Sequence, residues 1–461
     1  MSGKARTLKP RPPLPDGPYL VVGLARSGRA AALVLRERGE VTIGVDRGAP
    51  EDLGELAASG VELHLAEDGL SLLERVRAVV KSPGVPAQAP VIAAARAEGL
   101  PVLGELELAW RLLGNDFIAV TGTNGKTTTV ELIGHIHRAA GLPVAVAGNV
   151  GTALSGLVGE VDPDVTIVCE ASSFQLEDTL AFAPEVAVLL NIAPDHLDRH
   201  STIEEYAAAK LRIFARQSSG DVAVLPADLD ADLDEGVWRV SFGPPSIPRG
   251  DPRSAAMTLQ DDDDDDGLIL WQGAPLLPAE EIALRGRHNV YNAMAAAAVC
   301  LARGIDPDAV RAGLRTFAGV PHRLEEIARR EDVLYVNDSK ATNVASTLVA
   351  LDAFTPGVVH LILGGQSKGQ DFAPLREPVE RYCQAVYLIG EDATLIASQL
   401  AGMPVPLLEC GELEQALAVA VSTARPGDVI LLSPACASFD RYTDFEARGE
   451  RFRELVLGME A

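Results

Sequence analysis

One stretch limits the folds open to this chain more than any other: Phe117-Ile118-Ala119-Val120-Thr121-Gly122-Thr123-Asn124-Gly125-Lys126-Thr127-Thr128-Thr129. Four apolar residues read as a short buried strand, a tight glycine-rich turn follows, and Thr127 through Ile136 reads as a helix. A strand, loop and helix joined in this way aim several backbone N–H groups and the positive end of a helix at one spot, which suits phosphate oxygens. Lys126 adds a point charge for the β- and γ-phosphates, and the Thr127 hydroxyl is placed to take a magnesium ion. Val120 stands where the usual phosphate-loop pattern has its first glycine. The competing reading is a plain helix start with a solvated lysine. G-K-T-T directly after an apolar strand favours a nucleoside-triphosphate site built from Gly122, Thr123, Asn124, Gly125, Lys126, Thr127 and Thr128.

The chain has 461 residues, which suggests about three domains on the usual length prior. Its net charge of −25 argues against nucleic acid or an anionic membrane surface as a partner, since both need a basic face. No apolar run reaches the roughly 18 residues needed to span a bilayer, so no membrane insertion is expected. The basic, proline-rich start, Met1 to Pro15, lacks an apolar signal core, and residues 1–16 are expected to be a disordered tail. The five cysteines form no C-x-x-C pair and fit buried positions in a reducing cytoplasm.

The first domain is read as residues 17–114. It opens with the strand Tyr19-Leu20-Val21-Val22 and the turn Gly23-Leu24-Ala25-Arg26-Ser27-Gly28, followed by a helix and a second strand, Val41 to Val45, ending in Asp46. This is a Rossmann-like βαβ unit with an acid about 20 positions on. Ala25 replaces the middle glycine, so the turn is open to two readings: a relaxed nucleotide-diphosphate site or a purely structural turn. A further strand, Ala78-Val79-Val80, ends in Lys81-Ser82-Pro83-Gly84-Val85, at the strand edge where such sheets bind ligands.

The second domain is read as 115–319. Its strands Val144 to Val146, Val165 to Cys169 and Val186 to Leu190 are apolar throughout, as buried parallel strands are. Two of them end in polar groups, Glu170 and the run Asn191-Ile192-Ala193-Pro194-Asp195-His196-Leu197-Asp198. Magnesium takes oxygen ligands and keeps waters, so one or two such groups beside the phosphates suffice. A helix is expected from Ile203 to Arg216, and spacing alone leaves its Lys210 solvated. The acidic run Asp261 to Asp266, ending at Gly267, reads as a hydrated hairpin tip without chemistry. Asn289 and Asn292, three apart on one face of an alanine-rich helix ending near Arg303, either present amides to a base or ribose or act as caps.

The third domain is read as 320–461. Strands Val333 to Val336, His360 to Leu363, Ala385 to Ile389 and Val429 to Leu432 alternate with helical segments, giving a second doubly wound sheet. Three polar loops follow these strands: Asn337-Asp338-Ser339-Lys340-Ala341-Thr342-Asn343, Gly364-Gly365-Gln366-Ser367-Lys368-Gly369 and Ser433-Pro434-Ala435-Cys436-Ala437-Ser438-Phe439-Asp440. They are expected on one edge of the sheet, where two lysines and several hydroxyls suit a small substrate bearing carboxylates.

These residues resemble the Mur ligases, whose fold folylpolyglutamate synthetases share. The phosphate loop, Glu170, the Asp195-His196 segment, Lys210, His288-Asn289 with Asn292, and His322-Arg323 follow the family's order over nearly the whole chain after the tail. The three polar loops look like those of its D-glutamate-adding branch. No Asp-Asn-Pro-Arg segment, which would point to the diaminopimelate- or lysine-adding branch, is present. The segment Asp46 to Pro50 departs from the uridine-binding loop that this branch implies.

The resemblance implies an α/β chain of three domains: a Rossmann-like UDP-binding domain, a central phosphate-loop ATPase domain with a parallel sheet, and a Rossmann-like C-terminal domain. It implies ATP-dependent amide formation through an acyl phosphate, with UDP-N-acetylmuramoyl-L-alanine and D-glutamate as substrates. Thr127 and Glu170 would hold one magnesium ion, and His196 and a carbamylated Lys210 would serve a second, with Lys126 on the phosphates. Asn289, Asn292, Arg323 and Asp338 would contact ATP, and Ser82, Gly84 and Asn149 the UDP-sugar. Lys340, Thr342, Lys368, Ser438 and Phe445 would hold D-glutamate. A cytoplasmic monomer is the expected form. A folylpolyglutamate synthetase-like ligase, another amino-acid-adding member and a non-catalytic nucleotide sensor remain as alternatives.

Overall fold

The computed structural model describes residues 9–50, 53–149, 151–193, 199–200, 202–244, 254–262, 265–367 and 369–459. Among them lie three sheets. Of the expected site residues, His196 and Lys368 fall outside the described residues, as does the rest of the 194–198 segment.

The first sheet contains β1 (Tyr19–Val22), β2 (Thr42–Asp46), β3 (Glu62–Leu65), β4 (Ala78–Lys81) and β5 (Val102–Gly104). Its order is β3-β2-β1-β4-β5, parallel throughout. Leu20 and Val22 of β1 join one apolar cluster and Tyr19 and Val21 another, so the strand is buried on both faces. This explains why it reads as an unbroken apolar run.

The second sheet contains β6 (Phe117–Thr121), β7 (Val144–Gly148), β8 (Thr166–Glu170), β9 (Val186–Leu189), β10 (Val222–Pro226), β11 (Trp238–Gly243), β12 (Ser254–Asp262), β13 (Asp265–Trp271) and β14 (Ala274–Pro278). The order is β14-β13-β12-β11-β10-β9-β6-β8-β7, with only the last two strands in sequence, β13 and β14, antiparallel to their neighbours. Residues of β12 and β13 pair up to Asp262 and Asp265, so the acidic run lies at a hairpin as expected. The helix after Thr202 is shorter than expected: it spans Ile203–Leu211, and tight turns then bury Ile213 and Phe214. Those two aromatic and branched side chains face the core, and the chain turns to bury them instead of continuing the helix to Arg216.

Within the segment expected as a tail, Lys9 and Arg11 make contacts with the second domain. Lys9 pairs with Asp221, while Arg11 bonds Glu185 and the Asn115 carbonyl and lies over the Trp110 ring.

The third sheet contains β15 (Glu325–Arg330), β16 (Val333–Asn337), β17 (Val359–Gly364), β18 (Cys383–Ile389), β19 (Leu407–Gly411) and β20 (Val429–Leu432). Its order is β15-β16-β20-β17-β18-β19, with only β15 antiparallel. Val429 and Leu431 pack on one face, Ile430 and Leu432 on the other. The chain divides into two compact units: residues 1–282 with 291–316, holding the first two sheets, and residues 283–290 with 317–461, holding the third. All five cysteines are buried and free. No helix among the described residues is long and apolar enough to cross a membrane.

Candidate active site

Strand β6 is buried at every position between β8 and β9, so its carboxyl end is fixed in the middle of the second sheet. Gly125 follows with φ +85° and caps the helix Lys126–Ala139. It is glycine for two reasons: the left-handed backbone disfavours side chains, and a Cβ would run into the side chain of Asn292. Asn292 therefore lies against the phosphate loop. The turn is held from below by Asn191, a residue the sequence did not single out. Its Oδ1 accepts the N–H groups of Thr123 and Asn124 at 3.1 and 2.9 Å, and its Nδ2 donates to the Asn124 carbonyl. Thr123 Oγ1 also donates to the Ala193 carbonyl. Nothing local marks Asn191 in the sequence beyond its place at the end of an apolar strand.

At the end of the neighbouring β8, Glu170 is 3% exposed and accepts from the Thr127 hydroxyl at 2.7 Å and from Asn149 Nδ2 at 3.0 Å. This is a cluster of carboxylate, hydroxyl and amide, a hard oxygen-rich set of the kind magnesium takes. No group of three or more His, Cys, Asp or Glu side chains suited to a metal occurs among the described residues. Asn149, expected at the UDP-sugar, has its amide turned onto Glu170, while its carbonyl accepts from Arg26.

Lys126 curls back onto its own loop, donating to the Gly122 and Thr123 carbonyls, both at 2.9 Å. Lys210 is not solvated: it is 1% exposed, donates to the Gly122 carbonyl at 2.8 Å, and sits 4.3 Å from the centre of the Tyr206 ring. The structure thus brings Lys126, Thr127, Glu170, Lys210, Asn149 and Asn292 together around one loop.

The turn after β1 is tight. A Cβ on Gly28 would strike the Gly23 carbonyl, which is the close helix–strand packing expected of a third fingerprint glycine. Asp46 at the end of β2 accepts the Leu24 N–H at 2.7 Å and the Gly48 N–H at 2.8 Å, so its carboxylate already staples two turns. Ser82 is buried at the end of β4 and donates its N–H to the Val22 carbonyl, and Gly84 is exposed beside it. The loop carrying both is pinned by Lys81, which bonds the Val85 carbonyl and pairs with buried Asp178 at 2.7 Å. Burial lowers the Lys81 pKa even so.

In the third sheet, the parallel neighbours β16, β20 and β17 put the three polar loops on one edge, as expected. Asp338 accepts from Ser433 Oγ at 2.8 Å and from the Leu324 N–H at 3.2 Å; burial lifts its pKa to about 7 against the pull of those bonds and of nearby Arg323. Lys340 Nζ lies 4.9 Å from the centre of the Phe445 ring, and the Thr342 N–H bonds the Lys340 carbonyl. His322 packs edge-on to Phe445. Ser438 is buried, its carbonyl accepting from the Arg441 and Tyr442 N–H groups. Asn289, on the helix Arg287–Ala302, donates its side-chain amide to the Arg285 carbonyl at 2.7 Å.

Three family models match the chain: the Mur ligase MurD-like N-terminal domain over residues 18–104, the Mur ligase middle domain over 120–300, and the Mur ligase glutamate ligase domain over 322–436. A protein of Acidobacterium capsulatum named UDP-N-acetylmuramoylalanine–D-glutamate ligase is 44% identical over 451 residues, covering 95% of each chain. One of the same name from Salinibacter ruber is 42% identical over 455 residues, covering 95% of this chain and 96% of its own. Among solved structures, UDP-N-acetylmuramate-alanine ligase from Thermotoga maritima matches with a TM-score of 0.58 at 19% identity, over 97% of this chain and 100% of that one. MurF from Acinetobacter baumannii matches at 0.56 and 18%, over 90% of each; these two likenesses speak for the fold alone. With relatives this similar along almost the whole length, the chain belongs to the Mur ligase family.

Proposed function

We propose that this chain is a cytoplasmic, ATP-dependent ligase that adds D-glutamate to UDP-N-acetylmuramoyl-L-alanine during peptidoglycan precursor synthesis. The observation that carries this reading is the meeting of Thr127, Glu170, Lys126 and Lys210 around one phosphate loop, in a chain 44% identical to a ligase named for that reaction.

A carboxylate resists attack by an amine because its oxygen is a poor leaving group. Transfer of the ATP γ-phosphoryl to that oxygen releases ADP and gives an acyl phosphate. The D-glutamate nitrogen then attacks the acyl carbon, the tetrahedral adduct loses phosphate, and the amide nitrogen gives up its proton. The protein's share is positioning and charge neutralisation. Asn191 uses the Thr123 and Asn124 N–H groups to brace the turn, leaving the first turn of the helix Lys126–Ala139 to face the phosphates. Lys126 swings from its loop carbonyls to the transferring phosphoryl group. Thr127 and Glu170 fit one magnesium ion, which would neutralise phosphate charge when bound; His196 and Lys210 are proposed for a second. Carbon dioxide added to the Lys210 nitrogen would turn a cation into an oxygen-donor anion suited to that place.

Asp338 and Arg323 are proposed for ribose and phosphate, with Asn289 and Asn292 toward the base. Ser82, Gly84 and Asn149 are proposed for the UDP-sugar, and Lys340, Thr342, Lys368, Ser438 and Phe445 for D-glutamate. A phosphate-release assay tests the whole reading: turnover is expected only with ATP, the UDP-sugar acceptor and D-glutamate together. A nucleotide sensor would show no acceptor-dependent turnover, and a folylpolyglutamate synthetase would take L-glutamate and a pterin acceptor.

A further inference from the structure

Among the described residues, Arg448 is the bulkiest of the fully buried side chains, 1% exposed, one turn into the helix Phe445–Gly458. Its Nε donates to Ser339 Oγ at 3.0 Å, and its Nη2 donates to the Ser339 carbonyl at 2.8 Å and the Cys436 carbonyl at 3.0 Å. Ser339 Oγ in turn donates to the Phe445 carbonyl at 2.8 Å. Ser339 directly precedes Lys340, and Cys436 lies two residues before Ser438. One planar guanidinium therefore ties together the loop after β16, the loop after β20 and the start of the last helix.

Burying a charge among neutral oxygens is costly, and a well-packed apolar side chain often serves stability as well or better. Burial lowers the Arg448 pKa to about 10, which still leaves it charged. What an apolar residue could not do is fix the relative positions of three separate segments through a rigid fork of donors. We infer that Arg448 is a positioning residue for the D-glutamate site, setting the spacing between Lys340, Ser438 and Phe445. This rests on the proposal that those residues, with Thr342, hold D-glutamate. Asp338, the proposed nucleotide contact on the same loop, takes its hydrogen bonds from Ser433 and the Leu324 N–H and is acted on by Arg448 through charge, which a lysine would keep. The D-glutamate contacts should thus depend on Arg448 far more than the ATP contacts do.

The test is steady-state phosphate release by the full chain, wild type, Arg448→Lys and Ser339→Ala, varying each substrate in turn, with Tm measured alongside. Lysine keeps the charge but loses the fork. Arg448→Lys is expected to raise KM for D-glutamate about tenfold or more, the scale of a lost charge-assisted hydrogen bond, while KM for ATP and for the UDP-sugar stays within about twofold. Ser339→Ala should shift KM for D-glutamate in the same direction by about threefold or more. A wild type that releases phosphate without needing D-glutamate overturns the functional reading itself, and this inference with it. Given a wild type that does need it, an unchanged KM for D-glutamate in Arg448→Lys overturns the positioning role. So does a parallel rise in all three KM values with a lowered Tm, which would mark a purely structural arginine. Should Arg448→Lys fail to fold, Ser339→Ala decides by the same criteria.

Discussion

Lys126 and Lys210 donate to one and the same oxygen, the Gly122 carbonyl, at 2.9 and 2.8 Å. Two ammonium groups within two hydrogen-bond lengths of each other repel by about 3 kcal/mol at an effective dielectric of about 20. The carbamylation proposed for Lys210 would convert that repulsion into attraction, because the amine would become an anion while Lys126 stays positive.

Replacing Lys210 follows from this relationship. Lys210→Ala is expected to be nearly inactive, and added acetate or another short carboxylate should restore part of the turnover by standing in for the carbamate. Density for three extra heavy atoms on the Lys210 nitrogen is expected in crystals with magnesium and ATP. Full activity in the alanine variant, or an unmodified ammonium in a well-ordered crystal, would end this proposal.

Lys126→Ala would remove the charge proposed to act on the transferring phosphoryl group. Loss of one such electrostatic contact typically lowers turnover on the order of 10²–10³-fold. The fold should be kept, since Lys126 sits at the start of its helix and donates to carbonyls of its own loop. Retention of more than about a third of wild-type turnover would remove it from the phosphate site.

Substrate choice is checked by competition. D-glutamate should support phosphate release, and L-glutamate or meso-diaminopimelate in its place should not. Equal activity with either would contradict the assignment of the three polar loops.

Asp338 carries a pH signature. Burial raises its pKa from an ordinary 3.8 to about 7, so the folded protein favours the neutral acid. The stability this group contributes is full below about pH 4 and is lost as pH rises through about 7. Asp338→Asn cannot ionise, so its Tm relative to wild type should climb by a few degrees between pH 5 and pH 8, while KM for ATP rises if the carboxylate serves ribose. A Tm difference that is flat across this range would show that Asp338 ionises in the fold as easily as in water.

Much of the fold was legible because buried parallel strands leave a plain apolar trace: β6, β16 and β20 fall within a residue of their expected limits. Strand β15, Glu325–Arg330, left no such trace, since four of its six residues are charged and it pairs only at the sheet edge. The phosphate loop and its Glu170 partner were legible from spacing, because the chemistry demands those residue types at strand ends. Lys210 was not legible from spacing. A lone lysine on a helix reads as solvated, and its buried bond to the Gly122 carbonyl, 88 residues away in the chain, leaves no trace in local spacing. Arg448 escaped for a similar reason: a charged residue among other charges on a helix gives no sign of the three distant segments it joins.

The order β15-β16-β20-β17-β18-β19 has a consequence for biosynthesis. Strands β16 and β17 stand on either side of a gap that only β20, Val429–Leu432, fills. Until that late segment leaves the ribosome, both flanking strands present unpaired backbone edges, and the loops after them have no common floor. A nascent chain must therefore carry two open edges through the synthesis of about the intervening 65 residues, a window in which unpaired edges invite mispairing with other chains. For this enzyme, early release of an incomplete chain does not yield a weakened third sheet; it yields one that has not closed at all.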